Sequence, residues 1–224
     1  LRRIDPELDL SRHFLVLEQI AQPFSRQAVF GRTAPLEVEV GSGKGLFLSA
    51  AAAGDPSTDL LGIEILGKYA RYVASRLVRK NLSNARAIHG DAQHFFRLWL
   101  ADDSLRAVHV YFPDPWWKAR HKKRRVMNEQ FAREIERTLE PGGTLHFWTD
   151  VEEYYRTAVE ILAAQTRLLG PLPVEEKPAD HDLDYRTHFE RRKRQAGEQI
   201  FRAQFSKPAA DKSPAERQGA GNAG

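Results

Sequence analysis

Leu36-Glu37-Val38-Glu39-Val40-Gly41-Ser42-Gly43-Lys44-Gly45-Leu46-Phe47-Leu48 is the stretch on which the fold turns. Its opening residues, Leu36–Val40, read as a strand, and the strand runs straight into glycines at alternate positions, Gly41, Gly43 and Gly45. A helix, Gly45–Ala53, follows. Glycine has no Cβ, so the backbone here can turn sharply and let a ligand approach the main chain. A strand, a glycine-rich turn and a helix form the opening unit of an α/β domain whose ligand sits beyond the carboxyl end of the strand.

Downstream, short β-rich runs alternate with helix-period segments. The strands expected are Asp59–Ile65, Ala85–His89, Ala107–Phe112 and Thr144–Thr149, and the helices are Lys68–Asn81, Gln93–Leu100, Asn128–Leu139 and Glu152–Ala164. In Lys68–Asn81 the apolar residues Tyr69, Tyr72, Val73 and Leu77 recur at three and four, an amphipathic stripe. Such alternation predicts a mostly parallel sheet with helices on both faces, an α/β doubly wound domain. No internal repeat is visible. Residues 1–34 read as an N-terminal extension and 35–206 as the domain. Within it a Pro-rich linker, Gly170–Pro178, precedes a last strand, Gln199–Phe205. Residues 207–224 are Pro, Ala, Gly and charge without an aromatic, and are expected to be a disordered tail.

Composition narrows the class. Apolar residues make up 42% of the 224, enough for a core, and charged residues 29%. The longest apolar run, Leu46–Ala53, falls far short of the ~20 residues that cross a bilayer. Residues 1–10 are charged and lack the apolar stretch of a signal peptide, so cytoplasm is the expected compartment. With no Cys, disulfides and thiolate metal sites are excluded. The formal charge of +4 is modest, but six Lys or Arg fall within residues 118–125 and a second basic group spans Arg191–Arg194. Local clustering of this kind neutralises phosphates, although a basic run also suits a solvated helix face.

Three ligands compete for the glycine turn. A dinucleotide loop needs G-x-G-x-x-G, and Leu46 stands at the third glycine. A phosphate loop needs Gly-Lys-Ser/Thr, and Gly45 follows Lys44. G-x-G-x-G after a strand suits a cofactor without a pyrophosphate, such as S-adenosylmethionine. Acids at three successive strand ends sharpen that choice. Glu39 occupies a central strand where a carboxylate is costly unless paired, and the cofactor's ammonium is a fitting partner. Glu64, about 20 residues past the loop, is placed to accept ribose hydroxyls. Asp91 follows the third strand, where an adenine would lie. Each acid taken alone would equally serve as a helix N-cap or a surface residue.

The fourth strand ends in Tyr111-Phe112-Pro113-Asp114-Pro115-Trp116-Trp117-Lys118. Prolines on both sides of Asp114 stiffen the turn and hold its side chain in place. An aromatic beside a polar side chain, followed by a basic run, suits a planar base in a nucleic acid. If the nucleophile is N7 of guanine, it carries its own lone pair and needs no deprotonation. Catalysis is then positioning, with a carboxylate such as Asp114 accepting from the base's N1–H and N2 amine while tempering the positive charge that develops.

These residues resemble the bacterial tRNA (guanine-N7-)-methyltransferases over about residues 35–205, and Pro113–Arg125 is close to that family's signature. The resemblance implies a Rossmann-like, class I S-adenosylmethionine-dependent methyltransferase with a seven-stranded sheet. It implies S-adenosylmethionine as cofactor, bound by Glu39, Glu64, Asp91 and Asp114 with the turn of Gly41, Gly43 and Gly45, and Asp114 as the catalytic residue. Lys118 and Asp150 would contact the substrate, together with Thr187-His188-Phe189-Glu190. Arg120, His121, Lys122, Lys123, Arg124 and Arg125 would meet the RNA. The implied partner is tRNA, methylated at guanosine 46 of the variable loop. No membrane and no metal are expected, and the chain would be a monomer or a homodimer.

Two other readings stay open. A methyltransferase acting on another base nitrogen or a protein side chain would carry Asp/Asn-Pro-Pro-aromatic at this strand end, and Trp116 replaces the second Pro. An RNA-binding module without catalysis would not need the glycine turn and its acids. A metal hydrolase finds no support, since the eight histidines show no H-E-x-x-H spacing.

Overall fold

The strand of the glycine turn lies in the middle of the sheet. In the computed structural model, which describes residues 3–174 and 187–209, the elements run β1 (Phe14–Val16), α1 (Arg26–Phe30), β2 (Leu36–Val40), α2 (Leu46–Gly54), β3 (Asp59–Glu64), α3 (Gly67–Arg79) and β4 (Ala85–His89). They continue with α4 (Ala92–Leu98), β5 (Leu105–Tyr111), α5 (Glu129–Thr138), β6 (Leu139–Thr149), α6 (Glu152–Gln165), β7 (Leu169–Leu172), α7 (His188–Gln195) and β8 (Phe201–Ser206). The strand order is β1-β4-β3-β2-β5-β6-β8-β7. Pairings from β1 to β6 are parallel, and β8 runs antiparallel to both β6 and β7. The order reverses between β2 and β5, and in such sheets the crevice outside the carboxyl ends at the reversal receives the ligand.

Alternation along the strands explains the two layers. Leu61 and Ile63 face one side with Val38, Val108 and Val110, under Phe95, Phe96, Phe131 and Ile135 of α4 and α5. Leu60, the residue before Leu61, faces the other side with Leu48 and Ala52 of α2 and Val73, Ala74 and Leu77 of α3. Burying each large apolar side chain stabilises the fold by roughly 1.5–3 kcal/mol. Of the stripe expected in α3, Val73 and Leu77 are buried, while Tyr69 turns towards the cleft described below.

Eight strands stand in place of the seven implied. The additional one is β1, from the segment expected to be an extension, which pairs with β4 through Phe14, Leu15 and Val16. Leu17 and Phe30 are buried with the core, and Trp99 Nε1 donates to Ile20 O at 3.0 Å. The expected linker Gly170–Pro178 also begins as structure, since Gly170 and Pro171 lie within β7. Its glycine is required by close packing, because a Cβ there would meet Phe205 Cδ1 at 2.5 Å. Residues 175–178 of that linker lie outside the described residues, as do 210–224 of the expected tail. Lys207, at the head of that tail, is fastened instead. Its ammonium donates to Leu139 O at 2.7 Å and Glu136 O at 2.8 Å, and it pairs with Asp103 at 2.7 Å. Among the described residues no helix is long and apolar enough to cross a membrane.

Candidate active site

The three glycines between β2 and α2 all occupy the left-handed region, with φ of 75° at Gly41, 52° at Gly43 and 65° at Gly45. Gly45 also has no room for a side chain, since a Cβ would meet Val73 Cγ1 at 2.7 Å. The turn is closed from the neighbouring strand: Gly41 and Ser42 donate to Ile63 O at 2.8 and 3.1 Å. Glu64, at the end of β3, then accepts from Gly43 N and from Leu66 N, each at 2.9 Å. Burial raises the Glu64 carboxyl above its ordinary range against these two donors, and the charge of Asp114 adds to the rise. Asp91 caps α4, accepting from Gln93 N at 2.7 Å and His94 N at 3.3 Å.

Glu39 is only 3% exposed. Burial pushes its pKa well above the ordinary carboxyl value, a backbone bond from Leu48 works against that, and Glu64 adds to it. Among the described residues its Oε2 has no hydrogen-bond partner. A buried carboxylate oxygen left without a donor is costly, and a cationic group arriving in the cleft would supply the missing partner.

Asp114 sits on a turn held under strain. Phe112 and Trp116, on either side of Pro113-Asp114-Pro115, have φ of 49° and 46°. Left-handed backbone costs a non-glycine residue roughly 1–2 kcal/mol and persists only where the surroundings fix it. Here Arg125 fixes it. Its Nε donates to Pro115 O at 2.7 Å, its Nη2 pairs with Glu153 at 2.6 Å, and its guanidinium lies 4.5 Å from the Tyr154 ring centre. At the other end Phe112 N donates to Trp148 O at 2.8 Å. Trp116 is held by Arg124 over its ring at 5.1 Å and by His121 edge-on at 5.8 Å.

Around this turn the carboxyl ends of the strands enclose a cleft with two lobes, of about 470 and about 440 Å³, which share Gly41, Gly43, Tyr69, Tyr111, Phe112 and Asp114. The first lobe holds Glu64, Asp91, Ile65, Leu66 and Trp116. The second holds Glu39, Ser42, Lys44, Phe47, Thr187 and Phe189, with Arg191 and Arg192. Such volumes are those of small-molecule sites, roughly 300–1,000 Å³. The two lobes therefore adjoin, and the Asp114 carboxylate lines both.

The structure thus brings together Glu39, Gly41, Gly43, Glu64, Asp91, Asp114, Thr187 and Phe189. Gly45 lies just behind them as the N-cap of α2. Other expected residues stand apart. Asp150 pairs with Lys193 of α7 at 3.0 Å. Glu190 is 3% exposed and faces Arg194 at 3.5 Å and Arg202 at 3.6 Å, so it fastens α7 to β8 and lines neither lobe. Of His188 the backbone alone is described. Lys118 is exposed outside both lobes, and the short 3-10 segment Ala119–Arg124 carries exposed Arg120, Lys123 and Arg124, with His121 partly covered and the Lys122 side chain outside the description. Arg125, expected on the RNA surface, is a correction: at 4% exposed it is turned inward as the brace of the Asp114 turn.

Sequence reading missed Tyr69, Lys44, Arg191 and Arg192 in the lining, and a polar file beneath it. Tyr111 Oη lies 3.0 Å from His109 Nδ1, and His109 Nε2 lies 2.8 Å from Glu37. Arg106 Nη2 joins at 2.7 Å. The signal was present, since His109 and Tyr111 are two apart on a strand and share a face. Among the described residues no group of three or more His, Asp or Glu is arranged to hold a metal ion.

Residues 33–203 match the family model described as "Putative methyltransferase". The chain is similar to a tRNA (guanine-N(7)-)-methyltransferase of Rhodopirellula baltica, 44% identical over 213 residues, covering 92% of this chain and 79% of that one. A tRNA (guanine-N(7)-)-methyltransferase of Alcanivorax borkumensis is 35% identical over 196 residues, 86% of this chain and 81% of that one. Among solved structures, the 16S rRNA methyltransferase KamB superposes with a TM-score of 0.57 over 87% of this chain and 99% of its own, at 16% identity, a likeness of fold alone.

Proposed function

The chain belongs to the tRNA (guanine-N(7)-)-methyltransferase family, and on that premise we propose that it transfers the methyl group of S-adenosyl-L-methionine to N7 of guanosine 46 in the variable loop of tRNA. Its place of work would be the cytoplasm, with the tRNA.

The observation that carries this reading is the position of Asp114, on a strained and braced turn where the two lobes join. The residues fit the cofactor. Glu39, with its unpartnered buried oxygen, is suited to the ammonium of the methionine end. Glu64 is suited to the ribose hydroxyls and Asp91 to the adenine edge, and the glycine turn admits the ligand against bare backbone. When bound, S-adenosylmethionine supplies an electrophilic methyl group on a sulfonium.

What remains for the chain is orientation. Guanine N7 attacks with its own lone pair, so no residue has to remove a proton first. In this reading Asp114 accepts from the N1–H and N2 amine of the base, which fixes the ring in line and offsets the positive charge that moves onto the purine. Positioning of two reactants can be worth about 7–11 kcal/mol. The braced turn matters because a loosely held carboxylate would forfeit part of that. Phe189 and Thr187 would close the base side of the second lobe, and the exposed cations at 118–124 would meet the RNA backbone.

The test is transfer of labelled methyl from S-adenosylmethionine to unmodified bulk tRNA, followed by nucleoside digestion. Label in 7-methylguanosine is expected. Label in another nucleoside moves the target atom, and no label in tRNA despite cofactor binding overturns the reading.

A further inference from the structure

The second lobe is rimmed by cations from segments far apart in the chain: Lys44 in the glycine turn, and Arg191 and Arg192 in the middle of α7. Neither the motif at 118–125 nor the acids at the strand ends account for them. Lys44 is exposed, and neither Lys44 nor Arg192 makes an ion pair among the described residues. α7 is fixed by other residues. Thr187 Oγ1 caps it by accepting from Glu190 N at 2.9 Å, and Phe189 packs on Phe112 at 5.0 Å between ring centres. The Arg192 guanidinium rests over the Phe189 ring at 5.2 Å, so the cation rides on an aromatic that lines the lobe.

A base that enters a pocket from a polynucleotide brings its flanking phosphodiesters to the mouth, because they are covalently tied to it. We infer that Lys44 and Arg192 form a phosphodiester clamp at the mouth of the second lobe, holding the backbone on either side of the nucleotide whose base enters beside Thr187 and Phe189. The inference rests on the proposed reaction with tRNA. The division of labour follows from the side chains: a guanidinium grips two phosphate oxygens at once, whereas an ammonium acts as a point charge. Coming from two segments far apart in the chain, the two cations set how deeply the nucleotide is seated. The run at 118–124 is a separate contact, since among its described residues Arg124 alone lines a lobe, and that lobe is the first.

The experiment combines Lys44→Met and Arg192→Gln with synthetic tRNA carrying one uncharged methylphosphonate, 5′ or 3′ of the target guanosine. Each substitution should raise KM for tRNA roughly tenfold. Each should also make log affinity against log salt shallower by roughly 0.7–0.9. Affinity for S-adenosylhomocysteine should stay within about twofold, on the premise that these cations touch RNA alone. A methylphosphonate at the gripped phosphate should cost the wild type a similar factor and cost the matching variant almost nothing more. Arg192→Lys should recover part of the loss. Fully additive penalties, or an unchanged salt slope, overturn the clamp, and a fall in S-adenosylhomocysteine affinity with Lys44→Met moves that residue to the cofactor and overturns its role here. A wild-type enzyme that leaves tRNA unmethylated overturns the underlying reading instead.

Discussion

Glu64 at the end of β3 accepts the backbone N–H of Gly43 at 2.9 Å, so the acid of one strand holds shut the glycine turn of the next. Its second oxygen accepts from Leu66 N at 2.9 Å. One carboxylate therefore shapes the first lobe before any ligand enters it. Glu64→Gln keeps the size and one acceptor oxygen but loses the second. We expect cofactor affinity to fall at least tenfold, a loss of roughly 1.4 kcal/mol, with a melting temperature within a few degrees of wild type. Calorimetric titration with S-adenosylhomocysteine checks this, and wild-type affinity would contradict it.

Glu39 predicts an opposition between stability and function. Burial raises its folded-state pKa well above the ordinary value. A raised carboxyl contributes stability that is present below the unfolded pKa and lost as pH rises through the folded one. The ligand-free protein should therefore lose stability from this group between the acid range and neutrality. Glu39→Gln should melt higher than wild type near pH 8 without ligand, yet bind S-adenosylmethionine far more weakly. Thermal melts at pH 5 and pH 8, with and without ligand, decide it. A lower ligand-free melting temperature at pH 8 would count against the account.

Glu37 behaves in the opposite sense. Burial would raise it, but the hydrogen bond and charge of His109, followed by those of Arg106, outweigh burial and hold its pKa at about 2, below the ordinary carboxyl value of 4.5. A depressed carboxyl contributes stability that is present above the unfolded value and lost as pH falls through the folded one. The window is thus from about 4.5 down to about 2. The loss should approach about 3 kcal/mol, at ~1.4 kcal/mol per unit. Denaturant titrations across that window should show the slope in wild type and a flatter one in Glu37→Gln. Equal slopes would remove Glu37 as the cause.

Arg125 and its neighbours should separate in kinetics. Arg125 braces Pro115 O at 2.7 Å from inside the fold, whereas Lys123 and Arg124 are exposed. Arg125→Lys should lower kcat at least tenfold, as a misplaced carboxylate would, with tRNA KM within about threefold. Arg120→Ala and Lys123→Ala, both at exposed positions, should raise KM for tRNA with kcat little changed. Steady-state kinetics with varied tRNA reads both. A rise in KM alone for Arg125→Lys would return that residue to the RNA surface.

Much of the cleft's lining was legible because its distinctive residues are concentrated at strand ends. Glycines that must take φ above zero, acids next to them and a proline-flanked Asp114 are local signals, and locality is what periodicity and spacing report. Arg125 was misread for the same reason. It stands at the end of a basic run, and only its tertiary contacts with Glu153 and Tyr154 distinguish it from the exposed cations before it. Glu190 was obscured similarly, since its burial depends on Arg202 of a different strand. In the fold, β1 and β7 escaped notice because both are short, and β7 holds Gly170 and Pro171, which normally interrupt strands. Their places are set by pairing with β4 and β8, which no local pattern announces.

The most direct measurement uses tRNA in which the guanosine at position 46 is replaced by 7-deazaguanosine, where a C–H stands in for N7 and the Watson–Crick edge is unchanged. The account predicts that this tRNA binds about as tightly as the natural one and accepts no labelled methyl, while its guanosine counterpart is methylated. Methyl incorporated into the 7-deaza substrate at the same rate would show that another atom is the acceptor, and would contradict the proposal that guanine N7 takes the methyl group.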